Sequence, residues 1–165
     1  MNGSESERNA RITRIVQTYQ SSLLRLAFAY VKNTQDAEDI AQDVFVAFFR
    51  ASPAFSSAEH EKAYLLRAAI NRCKNHFKAA WIKNRRPLPE TFSETPYDEA
   101  SDSPVLSCVL TLEEKYRMPI HLHYYEGYSI AEIAGILGEK PATIGTRLSR
   151  GREALKAIIG GIENV

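Results

Sequence analysis

The stretch from Tyr125 to Leu155, YEGYSIAEIAGILGEKPATIGTRLSRGREAL, decides how the chain is read. Ser129 can cap a helix, and Glu132, three residues on, completes a capping box. Ile130, Ile133, Ala134 and Leu137 then recur at spacings of three and four, an apolar stripe that has to be buried. Gly138 stands where the chain leaves that helix and tolerates the left-handed conformation such exits favour. Pro141 suits the first turn of the next helix, where its missing N–H costs nothing. In that second helix Ile144, Leu148 and Leu155 face inward, and Thr143, Thr146, Ser149 and Arg150 lie on the other side. Arg147 and Arg152 are placed for phosphates. Two short helices around a tight break, the second with small polar side chains and arginines, have the layout of a DNA-binding helix-turn-helix. A solvated helical hairpin with a basic face would share the stripe. It would not require the agreement of capping, turn chemistry and charge.

The N-terminal part reads as all helix. Ile12, Ile15, Val16, Tyr19, Leu23, Leu26, Ala27, Tyr30 and Val31 keep a helical period through residues 8–32, with a break expected near Ser21–Ser22. Asn33 or Thr34 can cap a second helix, and Asp36, Glu38 and Asp39 sit favourably at its positive end. Ile40, Ala41, Val44, Phe45, Phe48 and Phe49 give it a wide apolar face. ASPAFSS at 51–57 interrupts the chain, and Ser56 with Glu59 offers a capping box for a long helix over 58–82. Tyr64, Leu65, Ala68, Ala69, Cys73 and Phe77 are expected to pack inward, leaving Arg67, Asn71, Lys74, Asn75 and Lys78 outward. No segment alternates with period two long enough for a strand.

The net charge of +1 hides a segregation. Lys62, Arg67, Arg72, Lys74, Lys78, Lys83, Arg85 and Arg86 occur with no acid among them. The pattern then inverts: Glu90, Glu94, Asp98, Glu99, Asp102, Glu113 and Glu114 occur with no Lys or Arg. A soluble face normally mixes signs, so an acid-free basic helix points to nucleic acid. Asparagines among its cations can pair with base edges while the cations neutralise phosphate. Residues 87–104, PLPETFSETPYDEASDSP, lack apolar periodicity and read as a flexible acidic linker.

The chain is therefore expected to be all-α, with a helical domain at 8–86, the linker at 87–104 and a helix-turn-helix domain at 105–160. There is no apolar run for a membrane span and no signal-peptide core, which places the protein in the cytoplasm without membrane insertion. Cys73 and Cys108 are isolated and read as buried or semi-buried thiols, neither a disulfide framework nor a zinc site. His121 and His123, two apart, point to different helix faces and do not make a metal site. Paired carboxylates with a supporting His, a Gly-rich phosphate loop and a nucleophile elbow are all missing from the sequence, so neither an enzyme nor a cofactor is expected.

Three stretches, DAEDIAQDVFVAFFR (36–50), AYLLRAAINRCKNHFK (63–78) and LEEKYRMPIHLHYYEGYSIAEIAGILGEKPATIGTRLSRGREAL (112–155), occur in this order around the linker. Together they resemble the extracytoplasmic-function group of bacterial sigma factors, the minimal sigma-70 type that keeps only the second and fourth conserved regions. The resemblance implies a monomer, when free, that binds core RNA polymerase at the β′ clamp helices and the β flap. It implies promoter choice, help in melting the start site, and a negative regulator, an anti-sigma factor. Asp39, Gln42 and Asp43 would contact the clamp helices. Asn71, Lys74 and Asn75 match the −10 motif most closely, with Arg67 and Lys78 on the same face and Phe55 on the 51–57 loop that would wall a base pocket. A flipped base needs such a pocket, and an exposed single strand needs a basic track. Helix 142–156 would enter the major groove at the −35 element with Thr143, Thr146, Arg147, Ser149, Arg150 and Arg152. Two positions depart from the pattern: Gly145 where relatives carry Arg or Lys, and Gly151 where they carry alanine; both are expected to loosen the helix. Pro119 is expected to kink the helix over 112–125. A helix-turn-helix regulator acting without polymerase is the alternative, but it leaves the acid-capped helix and the basic helix of the first half without a task.

Overall fold

The structure, a computed structural model, describes residues 3–84 and 104–163. These form seven helices: α1 (Gly3–Val31), α2 (Thr34–Ala51), α3 (Ala58–Asn84), α4 (Pro104–Thr111), α5 (Glu114–Tyr124), α6 (Ile130–Leu137) and α7 (Pro141–Glu163). No strand occurs among the described residues, and none of these helices is long and apolar enough to cross a membrane. The expected linker lies outside the described residues except for Pro104, which opens α4.

Helices α1, α2 and α3 pack on one another in the first half, and α7 packs on α4, α5 and α6 in the second. Leu23, Leu26, Phe48, Leu65, Leu66 and Ile70 fill the first core and Ile120, Leu122, Ile133, Ile144 and Leu148 the second, all essentially sealed from solvent. Each of these is worth about 1.5–3 kcal/mol of transfer free energy, so two clusters of this size can hold two bundles. The halves also meet, α1 against α5 and α3 against α6, and the buried apolar cluster runs across the junction.

Local chemistry sets the helix ends. Asn33 caps α2 through a 2.9 Å bond from the Asp36 amide, and Asp36 also pairs with His76 of α3 at 3.1 Å. The chain leaves α2 through Ser52 in the left-handed region (φ 47°), its amide still bonded to the Phe48 carbonyl. Ser129 and Glu132 form the expected capping box, and Gly138 ends α6 at φ 69°.

Several expectations are corrected. Helix α1 passes Ser21–Ser22 without a break, and the buried Ser22 hydroxyl donates to Glu126 of the second half at 3.3 Å. The α3 cap is Ser57, whose hydroxyl accepts from the His60 amide at 3.2 Å; Ser56 instead bonds the His60 ring at 3.1 Å. Tyr64, expected inside, is 42% exposed, since helix rotation gives Leu65 and Leu66 the core positions. Ile130, assigned to the buried stripe, is 40% exposed, because it is the first residue of α6 and points away from the α5–α7 core. Pro119 lies inside helix α5, as expected, where its missing N–H forgoes the bond to the Lys115 carbonyl.

Candidate nucleic-acid interface

Three solvent-facing surfaces stand on these helices. On α2 the buried side is Ala37, Ile40, Ala41, Val44, Phe45 and Phe48, which leaves Asp39, Gln42, Asp43 and Val46 outward along one face. Asp39 accepts a 3.3 Å bond from Gln35, one turn earlier. The face therefore presents two carboxylates, an amide and an apolar patch to a partner.

On α3 the residues Arg67, Asn71, Lys74, Asn75 and Lys78 are all exposed, at the three- and four-residue steps of one helix face. Leu65, Leu66, Ala69, Ile70 and Cys73 occupy the opposite face and fix its aim. Burial, and then the charge of Glu114, push the Cys73 thiol up to about 12, so it stays neutral. The 51–57 loop is held beside this face by packing. Phe55 stacks on Phe48 (centroids 6.0 Å apart) and leans on Tyr64 (5.2 Å). Arg11 of α1 donates to the Pro53 carbonyl at 3.0 Å and lies 5.7 Å over the Phe48 ring. Phe55 thus both anchors the loop and lines a cleft with Tyr64 and Arg67. A planar base entering it would meet an aromatic wall and a guanidinium, the pairing that single-strand binders use.

A clasp behind the loop keeps α1 and α3 in register. Glu61, 8% exposed, accepts 2.8 Å from the Tyr19 hydroxyl and pairs with Arg14 at 3.4 Å. Burial and the Glu61 carboxylate push the Tyr19 hydroxyl up to about 12.

On α7 the buried side is Ile144, Leu148 and Gly151. Thr146, Ser149 and Arg150 are exposed and contiguous across the outer face, with Gly145 beside them. Thr143 and Arg147 are half-buried at one edge, and together with Thr146 and Arg150 they line a cleft against Lys115 and Tyr116 of α5. Arg147 reaches Glu139 at 3.4 Å. Arg152 follows Arg150 by about 200° of helix rotation and donates to the Tyr124 hydroxyl at 3.1 Å, away from the others. The six residues expected at the −35 element therefore divide into an outward arc, an edge and one outlier.

Gly151 is no loose point in α7. A Cβ there would lie 3.0 Å from Ile120 Cγ1 and 3.2 Å from Ile120 Cδ1, so its absence lets α7 close on α5. Around Gly145 nothing lies within 4 Å of such a Cβ. Four contributors escaped the sequence reading. Arg11, Lys115 and Glu126 stand in no motif of the sequence, and Tyr64 was expected in the core. The one signal for Tyr64 was its place three residues before Arg67, on the basic face. No cluster of three or more His, Cys, Asp or Glu side chains suited to a metal occurs among the described residues. His121 is buried, whereas half-buried His123 bonds the Tyr128 carbonyl at 2.8 Å.

Comparison with known proteins gives these surfaces a common context. Residues 15–82 match Sigma-70 region 2, and residues 103–155 match Sigma-70, region 4. The RNA polymerase sigma-H factor of Pseudomonas aeruginosa is 29% identical, the match covering 86% of this chain and 82% of that protein. The ECF RNA polymerase sigma factor SigW of Bacillus subtilis is 28% identical over 86% of this chain and 85% of its own. Among solved structures, the sigma factor RpoE of Bartonella quintana, in complex with the anti-sigma factor NepR, superposes with a TM-score of 0.77. It is 21% identical and covers 90% of this chain and 96% of its own. CnrH, in complex with the cytosolic domain of CnrY, gives 0.65 at 23% identity, covering 93% and 90%. With both regions matched in order across more than half of its length, the chain belongs to the extracytoplasmic-function group of the sigma-70 family.

Proposed function

We propose that this chain is a sigma factor that binds core RNA polymerase, directs it to promoters through their −10 and −35 elements, and helps melt the start site. The observation that carries the reading is the coexistence, on one chain, of an acidic docking face on α2, an acid-free basic face on α3 and a helix-turn-helix ending in α7. A regulator acting alone has use for the third and not for the first two. Asp39, Gln42 and Asp43 dock on the β′ clamp helices, and the second half meets the β flap. Arg67, Asn71, Lys74, Asn75 and Lys78 follow the −10 strand, with Phe55 walling the base pocket. Thr146, Ser149 and Arg150 meet base edges at the −35 element, with Thr143, Arg147 and Arg152 at the backbone. The chain performs no catalysis; RNA synthesis belongs to polymerase, and the site of action is the cytoplasm. An anti-sigma factor is the expected regulator, since the similar RpoE fold was captured with one.

Run-off transcription with bacterial core polymerase on a pool of genomic fragments tests this. Addition of the chain is expected to create a discrete set of new start sites sharing upstream elements. An unchanged set of start sites, or no association with core polymerase, overturns the proposal.

A further inference from the structure

The cleft between α5 and α7 is lined by three cations, Lys115, Arg147 and Arg150, and by Thr143 and Thr146, with no carboxylate in its walls. Two neighbouring clefts differ. Glu59 and Glu132 line the one around Phe55, and Glu114 and Glu139 line the one around Tyr30. Every residue lining the acid-free cleft belongs to α5 or α7, so its charge is a property of the second half by itself.

The cations that face it are loosely engaged. Lys115 Nζ lies 3.6 Å from Glu113 and 5.0 Å from the centre of the Tyr116 ring, with the Lys115 and Glu113 side chains both largely exposed. Glu114, the other acid beside Lys115, accepts from the Tyr30 hydroxyl in the neighbouring cleft. Arg147 reaches Glu139 at 3.4 Å, again with both partners open to water. Exposed pairs of this kind contribute little and give way to a competing anion. Lys115 is nonetheless aimed by packing, because its neighbour Tyr116 sits against α7, where its Cβ would lie 3.5 Å from a Cβ at Gly151. Ammonium, guanidinium and hydroxyl donors around one open cleft match a phosphate, whose oxygens accept from all three. Thr146 and Arg150 belong both to this cleft and to the outward arc of α7, so a duplex lying along the arc carries its backbone over the cleft.

We propose that Lys115 is a DNA-backbone contact: with Arg147 and Thr143 it grips one phosphate of a duplex in this cleft, while Thr146 and Arg150 go on to base edges. The inference rests on the reading of α7 as the groove helix. It makes α5 part of the binding surface as well as the support of α7. Lysine meets phosphate as a point charge on a flexible stem, and a phosphate contact carries no sequence information. Lys115 therefore adds affinity without preference.

The test uses the full chain and two fluorescein-labelled duplexes of about 20 base pairs and unrelated sequence, followed by anisotropy from about 50 to 200 mM salt. Each phosphate contact on B-DNA contributes about 0.9 to the slope of log affinity against log salt. Lys115→Gln is expected to lower the slope by about that amount, so that over this range the parent loses roughly three- to fourfold more affinity than the variant. At low salt the variant should be weaker by the same factor on both duplexes. Lys115→Arg should keep the parent slope. Arg8→Ala, which removes an exposed cation of α1 outside the three faces, should keep it too. Inorganic phosphate, exchanged for chloride at constant ionic strength, should leave duplex affinity within about twofold, since one free anion replaces only one of several contacts. A parent-like slope in Lys115→Gln, a weakening confined to one sequence, or an equal drop in Arg8→Ala overturns the proposal. Displacement of the duplex by inorganic phosphate would assign the cleft to a free anion and overturn it as well. If Arg150→Ala weakens binding and Lys115→Gln does not, the groove helix stands and the cleft alone falls. If neither changes binding, the −35 reading falls with it.

Discussion

Replacing Gly145 and Gly151 by alanine, one at a time, sets the same chemical change against two different surroundings six residues apart on α7. In a helix interior alanine is favoured over glycine by about 0.8–1.0 kcal/mol. At Gly145 no atom lies within 4 Å of the new Cβ, so the whole gain is expected. For a chain of this size that corresponds to a rise in Tm of roughly 2–4 °C. At Gly151 the same gain meets Ile120, whose side chain is 1% exposed and whose Cγ1 would be 3.0 Å away. Ile120 has no solvent to turn into, and overpacking of this kind costs about 1–3 kcal/mol. Gly151→Ala should therefore range from neutral to about 2 kcal/mol destabilising, leaving the two variants several degrees apart. Thermal unfolding followed by circular dichroism reads both. In the pair with Ile120→Val, which removes the Cδ1 contact, the two costs should fail to add, with a coupling of about 1 kcal/mol. If Gly151→Ala raised Tm as much as Gly145→Ala, α7 would not be seated on α5 as closely as argued, and the aim of Thr146, Ser149 and Arg150 would have to be drawn afresh.

Further consequences can be checked separately. Arg150→Ala, at an exposed position on the groove arc, should weaken binding of the second half's −35 duplex by about 1–3 kcal/mol, measured by fluorescence anisotropy. Asp43→Arg reverses charge on the α2 face and should weaken association with core polymerase roughly tenfold, leaving duplex affinity unchanged; a parent-like pull-down and transcription level would refute the docking face. Cys73 is buried and its thiol is pushed up to about 12, so it should react with a thiol reagent only on unfolding. The Tyr19 hydroxyl, raised by burial and Glu61, contributes stability that is complete below pH 10 and lost as pH climbs through about 12. Tyr19→Phe should flatten that alkaline loss in urea titrations, and an unchanged slope would contradict the clasp.

Much of this architecture could be read from local rules, and the misses have local causes. The Ser129–Glu132 box, the left-handed exit at Gly138 and the start at Pro141 depend on residues within one turn of each other, so sequence alone is enough to place them. The outward set on α3 followed from helix period and the absence of acids. What failed depended on partners far along the chain. Tyr64 and Ile130 are apolar by type but exposed, because periodicity fixes a stripe only to within about one residue at its edges. The Arg11–Pro53 bond spans 42 positions, and no local pattern announces it. Gly151 looked like a weak point because propensity counts the helix alone, whereas its value lies in how closely α5 can approach. Above all, the charge blocks suggested two independent bundles and gave no hint of a shared junction, since Glu126 is a single acid in a turn.

The composition of that junction bears on its dependence on pH and salt. Burial by itself would raise the Glu126 carboxyl, but the interactions with His121 and Lys62 more than offset it and hold the group below the usual carboxylate range. A lowered value means the charged form is stabilised in the folded chain, so this contribution is present above the ordinary carboxylate pKa and is lost as pH falls through the depressed one. At neutral pH Glu126 is therefore ionised where it meets Lys62 and Arg25. The strength of these ion pairs also depends on screening, whereas the buried Leu66 and Ile133 of the cores carry no charge to screen. Lys62, Arg25 and Glu126 thus add a charged contribution to a junction whose buried apolar cluster also runs from one half to the other.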